Sequence, residues 1–125
     1  VATLRVSDIV ICGHLQCGAM HALLGDPLPD RMPHLREWLT LANPVREIIH
    51  TQYTHITDQE HRKDLAAREN VLFALENLHS YHCVQDRLMD GSLRLHGWFF
   101  KIATAELLAY DPETRQFSPL TRENK

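Results

Sequence analysis

Long apolar runs, a strong net charge and an even set of cysteines are all missing from this 125-residue sequence. No stretch approaches the roughly 20 apolar residues that cross a bilayer, so we do not expect a membrane protein. A formal net charge of -3 gives no sign of the excess positive charge that binds nucleic acid or an anionic membrane. The composition therefore predicts neither of these partners.

The three cysteines do not form the even set that a disulfide framework needs, and the first residues, VATLRVSD, lack the basic and apolar regions of a secretory signal. Metal binding or burial is therefore favoured for the cysteines, and a cytoplasmic location is expected. Because the sequence does not begin with Met, we also expect it to be a piece of a longer protein.

The residues that are present are typical of a globular protein, with 44% hydrophobic and 23% charged side chains. This length is enough for one hydrophobic core, so we predict a single domain over residues 1–125.

Periodicity predicts strands and helices along the chain. The β-branched run DIVICG at 8–13 is typical of a strand buried on both faces near the centre of a parallel sheet. Small and apolar residues predict a helix over 18–24, followed by a proline-rich loop at 25–33. Two helical pieces are expected within 34–52, where a proline interrupts the apolar pattern.

A capping box predicts a long helix in the middle of the chain, with Thr57 placed to accept from the Glu60 amide. A short helix is expected to end at Gly91, and strand-like segments on either side of DPETRQ predict an antiparallel hairpin. The predicted fold class is α/β, with a mostly parallel sheet flanked by helices and an antiparallel edge strand. We expect it to be an incomplete piece of the full domain.

Cysteine and histidine, two residue types that commonly bind metal ions, occur at the end of the first predicted strand, in ICGHLQCGAM. The carboxyl ends of strands in open α/β sheets gather ligand-binding groups. His14 and Cys17 are separated by two residues, so a tight turn can bring an imidazole nitrogen and a thiolate to one metal ion. Cys12 lies about 7 Å further back along the strand. We expect Cys12, like Cys83, to be a buried core residue.

Gly18 follows this pair at the predicted start of a helix. Free amides at a helix N-terminus favour the Cys17 thiolate, and the absence of a side chain lets a small substrate approach the Gly18 N–H. The pair alone supplies two ligands where zinc needs three or four, so a buried cysteine and a capped histidine remain the alternative. A redox protein with a Cys12–Cys17 disulfide is a further alternative, which the spacing disfavours.

The other histidines are scattered over predicted helices and loops, where surface or capping roles are expected. His96 is the exception because it lies in a strand beside Gly97, which would let another backbone approach. We expect His96 to have a packing role.

The string SDIVICGHLQCGAM closely resembles the second zinc-binding motif of the β-class carbonic anhydrases, in which a strand ends in C-G-H-x-x-C-G. HLREWLTLA, ARENVLFALENL and LRLHGWFFKIATAELLAYDPETRQFSPL also resemble the family, in the same order and over nearly the whole chain. The bacterial and cyanobacterial branch is the most similar. The resemblance implies a zinc-dependent lyase that reversibly hydrates CO2 to bicarbonate and a proton by a zinc-bound hydroxide.

The resemblance also implies that His14 and Cys17 are zinc ligands, that Gly18 is a backbone donor to the substrate, and that the protein forms dimers or higher oligomers. The family's other thiolate ligand and its Asp-Arg pair lie in a Cys-x-Asp-x-Arg motif that this sequence does not contain. No catalytic residue is therefore assigned, and we expect the chain alone to hold half of a zinc site. The alternative function is a non-catalytic homologue or fragment that acts as an assembly module, for example in a carboxysome.

Overall fold

The computed structural model of the protein describes residues 1–25 and 31–120. The predicted proline-rich loop therefore lies largely outside the described residues. Within them, five helices and four strands follow one another along the chain. They are β1 (Asp8–His14), α1 (Gly18–Leu24), α2 (Pro33–Thr40), α3 (Asn43–Gln52), α4 (Gln59–His79), α5 (His82–Met89), β2 (Arg94–Lys101), β3 (Glu106–Asp111) and β4 (Gln116–Pro119).

The chain divides into two compact units. The sheet unit contains Val1–Gly13 and Val71–Lys125, and the helical unit contains His14–Asn70. Helix α4 contributes its first half to the helical unit and its second half to the sheet unit. The single domain expected over residues 1–125 stays a prediction. None of the described helices is both long enough and apolar enough to cross a membrane.

The sheet has the strand order β1-β2-β3-β4. The α/β class is confirmed, with β1 and β2 forming the parallel pair of the described sheet. The β2–β3 and β3–β4 pairs are antiparallel. The described sheet therefore has more antiparallel pairs than the mostly parallel sheet that we expected. Only short turns at 102–105 and 112–115 join these strands, and strands joined so closely must run in opposite directions. The hairpin predicted around DPETRQ is confirmed as β3–β4.

Strand β1 forms where it was predicted, but its predicted central and buried position was wrong. It lies at the end of the described sheet, where it pairs with β2 alone. Alternate side chains of a strand point to opposite faces, and the face that carries Val10, Cys12 and His14 is exposed. Val10 keeps 40% of its surface accessible. An end strand therefore exposes residues that its apolar sequence predicts to be buried.

The core of the sheet unit is centred on Phe99 of β2, which is fully buried. Phe99 lies opposite Leu108 in the antiparallel register, and its ring meets that of Phe117 edge to face at a centroid distance of 6.2 Å. Burying an aromatic side chain of this size stabilises the fold by roughly 2–3 kcal/mol. Val71 and Val84 extend this core from α4 and α5.

The helical unit is built around α3, whose buried side chains are Val45 and Ile49. Helix α1 packs on α3 and buries Met20 and Leu23. The two helical pieces expected in 34–52 are confirmed as α2 and α3. In contrast to α3, α2 has no buried residue.

The long helix α4 is confirmed, but its predicted cap was wrong. The Glu60 amide donates to Asp58 Oδ1 at 3.1 Å, and the Asp58 carbonyl accepts the first helical hydrogen bond from the Arg62 amide at 3.0 Å. Asp58 therefore occupies the capping position instead of Thr57. Aspartate caps helices as well as threonine or better. The S/T-x-x-E pattern matched Thr57, although an equally good capping residue follows directly after it.

Cys83 lies on the exposed face of α5, beside the buried Val84. The prediction that Cys83 is a core residue was therefore wrong. The helical period places neighbouring residues about 100° apart, so Val84 and Cys83 face different surroundings. Helix α5 ends as predicted, because Gly91 takes a φ of 77°, a conformation that glycine adopts without a steric penalty.

Candidate metal centre

His14 ends β1 at the start of a tight turn. Its Nδ1 donates a hydrogen bond to the Leu15 carbonyl, with a nitrogen–oxygen distance of 2.8 Å. A carbonyl only accepts, so Nδ1 carries the proton in this contact and the Nε2 lone pair is available to a metal ion. Histidine ligands of metal ions are commonly oriented by such a hydrogen bond from the other ring nitrogen.

The turn itself contains a strained residue. Gln16 has a φ of 56°, which places a residue other than glycine in the left-handed region at a cost of about 1 kcal/mol. Such conformations cluster where the backbone must present side chains to a site. Here the turn separates His14 from Cys17.

Cys17 is the residue immediately before α1. Its carbonyl accepts from the His21 amide at 3.0 Å, while its side chain makes no capping hydrogen bond to the helix. The thiol is half-buried and is not in a disulfide. The Sγ atom is therefore not committed to holding the helix and is chemically suited to a soft metal ion such as zinc.

Gly18 is the first residue of α1. A Cβ added to it would meet no atom within 4 Å, so the space beside its backbone is open. A small molecule can reach this part of the backbone without displacing a side chain.

The described residues do not complete a metal site. Within residues 1–25 and 31–120, no group of three or more His, Cys, Asp or Glu side chains is positioned to hold a metal ion. The two donors at the turn fit zinc in chemical type, and they fall short of the three or four protein ligands that zinc takes. These two donors alone do not make a zinc site.

Cys12, two residues before His14, is not a core residue. The prediction that it is buried was wrong, because its side chain lies on the exposed face of β1. The atoms that surround it still desolvate the sulfur in part, and this raises the pKa of the Cys12 thiol. The redox alternative required a bond between Cys12 and Cys17, and both cysteines are free thiols in the structure.

A polar cluster that sequence reasoning missed lies in the sheet unit. Asp8 accepts hydrogen bonds from Arg94 Nε at 2.9 Å and from His96 Nε2 at 2.8 Å, and from the Ser7 hydroxyl at 2.7 Å. The Arg94 guanidinium, followed by the His96 imidazole and the Ser7 hydroxyl, holds the pKa of the Asp8 carboxyl well below its usual range. His96 also packs as expected, since its ring centroid lies 6.4 Å from that of Trp98, and the hydrogen bond to Asp8 is a second role that the sequence did not indicate.

The Asp8 cluster borders a cavity of about 990 Å³ in the sheet unit. One signal in the sequence pointed to part of the cluster, because Arg94 and His96 are two residues apart in a strand and so share a face. Their carboxylate partner is separated from them by more than 80 residues. No local pattern identifies such a partner.

Comparison with known proteins assigns the chain to a family. A family model described as carbonic anhydrase matches residues 1–107. The solved structure of the β-carbonic anhydrase CcaA superposes with a TM-score of 0.89 at 35% identity, over 94% of this chain and 53% of that one. The chain belongs to the β-carbonic anhydrase family. The resemblance noted in the sequence is thus confirmed.

Curated relatives of the β-carbonic anhydrase chain extend the match. Carbonic anhydrase 1 of Escherichia coli O157:H7 is 42% identical over 120 residues, which are 96% of this chain and 54% of that protein. A carbonic anhydrase of Synechocystis is 36% identical over 126 residues, covering 99% of this chain and 46% of the relative. The chain therefore spans about half the length of the curated relatives that it matches.

A fungal β-carbonic anhydrase has the same fold over most of the chain. The solved structure comes from Sordaria macrospora, where two such enzymes are described as tetrameric. It superposes with a TM-score of 0.79 at 29% identity, over 87% of this chain and 54% of that one.

Proposed function

We propose that this chain forms part of the active site of a zinc-dependent carbonic anhydrase, which interconverts CO2 and bicarbonate. The observation that carries the proposal is the turn at 14–17, where His14 has an available Nε2 and Cys17 an uncommitted thiol. Membership of the β-carbonic anhydrase family supports it. When it is bound, zinc supplies Lewis-acid activation of water.

The residues of the chain have three roles in this proposal. His14 and Cys17 bind the metal ion, and the Leu15 carbonyl holds the His14 ring in the tautomer that leaves Nε2 unprotonated. The Gly18 N–H, at the open start of α1, donates to an oxygen of the substrate. The described residues provide two ligands, so the complete site needs donors beyond them.

Zinc content and CO2 hydration, measured together, test the proposal. We expect weak zinc binding and little turnover for the 125-residue chain, and one zinc per chain with full turnover for a version extended at its N-terminus. In the extended protein, His14→Ala and Cys17→Ala should each lower zinc affinity by at least about 100-fold, because second-shell changes alone cost about 10–100-fold.

Cys83→Ala is the matched control, since it removes an exposed thiol on α5 and should leave zinc content unchanged. Full activity of the 125-residue chain would contradict the expectation that this chain holds only half of the zinc site. An extended protein without zinc and without activity would contradict the enzyme and would support the non-catalytic assembly module.

The role of Gly18 has its own test in the extended protein. Gly18→Pro removes the amide hydrogen at the first position of a helix, where proline is tolerated. The preceding Cys17 already has a ψ of 117°, which suits a residue before proline. We expect kcat/KM for CO2 to fall by about 100-fold with zinc content unchanged. Gly18→Ala keeps the N–H and should keep most of the activity, whereas equal activity of both variants would exclude Gly18 as a donor.

We also propose that the protein self-associates as a dimer or higher oligomer. The tetrameric enzymes of Sordaria macrospora support this, and so does the exposure of Trp38, which keeps 74% of its surface accessible on α2. Sedimentation velocity over a range of concentrations measures the oligomeric state directly. A monomer at all concentrations of the extended protein would contradict the proposal.

A further inference from the structure

Three basic side chains meet in the helical unit, and none of them belongs to the turn at 14–17. On α3, Arg46 Nε lies 3.3 Å from His50 Nε2, one helical turn away. From α4, Arg62 Nη2 lies 3.4 Å from His50 Nδ1. Both nitrogens of one imidazole therefore face guanidinium groups. We call these three residues the basic cluster.

The basic cluster has more hydrogen-bond donors than acceptors. A neutral imidazole has one accepting and one donating nitrogen, and a protonated one has two donors, while a guanidinium only donates. At most one of the two guanidinium–imidazole contacts can therefore be a full hydrogen bond. At the other contact, an N–H of the guanidinium faces an N–H of the imidazole, and neither has an acceptor there. An anion can supply that acceptor.

Arg62 is held in position by neutral groups. Its Nη1 donates to the Tyr53 carbonyl at 2.8 Å and to the Ile56 carbonyl at 3.1 Å. These carbonyls orient the guanidinium without cancelling its charge. Within residues 1–25 and 31–120, neither Arg46 nor Arg62 forms an ion pair with a carboxylate. The nearby carboxylates of Asp58 and Glu60 are engaged locally, by the Glu60 amide and by Lys63.

Two residues of the basic cluster, His50 and Arg62, line a cavity of about 400 Å³ that lies wholly inside the helical unit. Besides His50 and Arg62, its lining includes Thr57 and Gln59, a hydroxyl and an amide that can both donate hydrogen bonds. Guanidinium groups match oxyanions in geometry as well as in charge. Charge, donor excess and space therefore coincide at one place.

We propose that the basic cluster and its cavity form a binding site for a compact oxyanion of the phosphate or bicarbonate class. The anion accepts hydrogen bonds from His50 and Arg62, which line the cavity, and Arg46 adds positive charge beside His50. The site shares no residue with the proposed zinc ligands, so it goes beyond the proposed function. Its occupancy joins α3 to the first turn of α4 through the anion.

Titration with sodium phosphate, sodium bicarbonate and sodium chloride at constant ionic strength tests the site, with NMR signals of the arginine and histidine side chains as the readout. We expect phosphate or bicarbonate to shift the signals of Arg46, His50 and Arg62 in a saturable way, and chloride to leave them unchanged. The stronger of the two oxyanions identifies the source of the ligand. The measurement needs neither zinc nor turnover, so its outcome is independent of the proposed enzyme activity.

Variants separate a site from general charge attraction. His50→Gln should weaken oxyanion binding by about tenfold or more, because hydrogen bonds to charged groups are strong, and Arg46→Gln should weaken it less, since Arg46 contacts His50 and does not line the cavity. Arg31→Gln removes the same charge from an exposed arginine and should leave the affinity within about twofold. Arg62→Gln is less informative, since it also removes two backbone contacts. Equal responses to chloride, or unchanged affinity in His50→Gln, would overturn the proposal.

Discussion

At the scale of single residues, the glycines of this chain make unequal contributions to the fold. A Cβ on Gly97 would lie 2.8 Å from Leu75 Cδ1 and 3.1 Å from Val71 Cγ1. The leucine methyl can rotate away, but Val71 is buried and β-branched, so it cannot. We expect Gly97→Ala to lower the free energy of unfolding by about 1–2 kcal/mol, measured by urea denaturation.

Gly18→Ala is the control, because nothing within 4 Å would meet the new Cβ and its stability should stay within about 0.5 kcal/mol. Equal stability of the two variants would contradict the close packing at Gly97. The sequence indicated a close approach at Gly97 and attributed it to another backbone. The structure assigns it to side chains of α4, which a strand sequence cannot reveal.

Predictions for Cys12 and Cys83 failed because they relied on residue type, and the prediction for His96 was incomplete. Cys12 and Cys83 were expected inside because cysteine is often buried, but both are exposed. His96 was expected to pack, and it does so against Trp98, but its hydrogen bond to Asp8 was not foreseen. The spacing of His14 and Cys17 allowed a tight turn between them, and the structure has a turn there, because that feature is local to the chain.

At the scale of elements, the start of α4 has two neighbouring candidates for the helix cap, Thr57 and Asp58. Asp58 accepts from the Glu60 amide, while Thr57 was the cap predicted from sequence. We expect Asp58→Ala to lower the free energy of unfolding by about 1 kcal/mol and Thr57→Ala to change it by less than about 0.5 kcal/mol. Urea denaturation of both variants checks this, and the reverse order of the two losses would restore Thr57 as the cap.

The elements themselves were predictable because their signals are local. Apolar period and turn residues located β1, the helices and the hairpin of β3 and β4. The position of β1 at the end of the described sheet was not predictable, since an apolar strand has the same sequence wherever it lies in the sheet. The direction of β2 against β3 follows from the short turn at 102–105, which the sequence pattern did not mark clearly.

At the scale of the whole molecule, Asp8 and Tyr53 make opposite contributions to the pH dependence of stability. The pKa of Asp8 is lowered by Arg94, His96 and Ser7. Its stabilising contribution is therefore present above the ordinary carboxyl pKa of about 4 and is lost as the pH falls below that value. Burial, followed by the hydrogen bond of Tyr53 to Glu69 at 2.8 Å, raises the pKa of Tyr53 to about 12.

The stability change with pH has the opposite sign for Tyr53, because the folded chain favours the neutral form of this side chain. Its contribution is present below the ordinary tyrosine pKa of about 10 and is lost as the pH rises towards about 12. We therefore expect the free energy of unfolding to form a plateau that declines on both sides, measured by urea denaturation across pH. Asp8→Asn should reduce the acidic decline alone, leaving the part that Asp90 contributes through its lowered pKa. Tyr53→Phe should reduce the alkaline decline alone, leaving the part that Cys12 contributes through its raised pKa. Asp86→Asn and Tyr81→Phe, at exposed positions, should leave the profile unchanged, and an acidic decline that persists fully in Asp8→Asn would show that other carboxylates govern it.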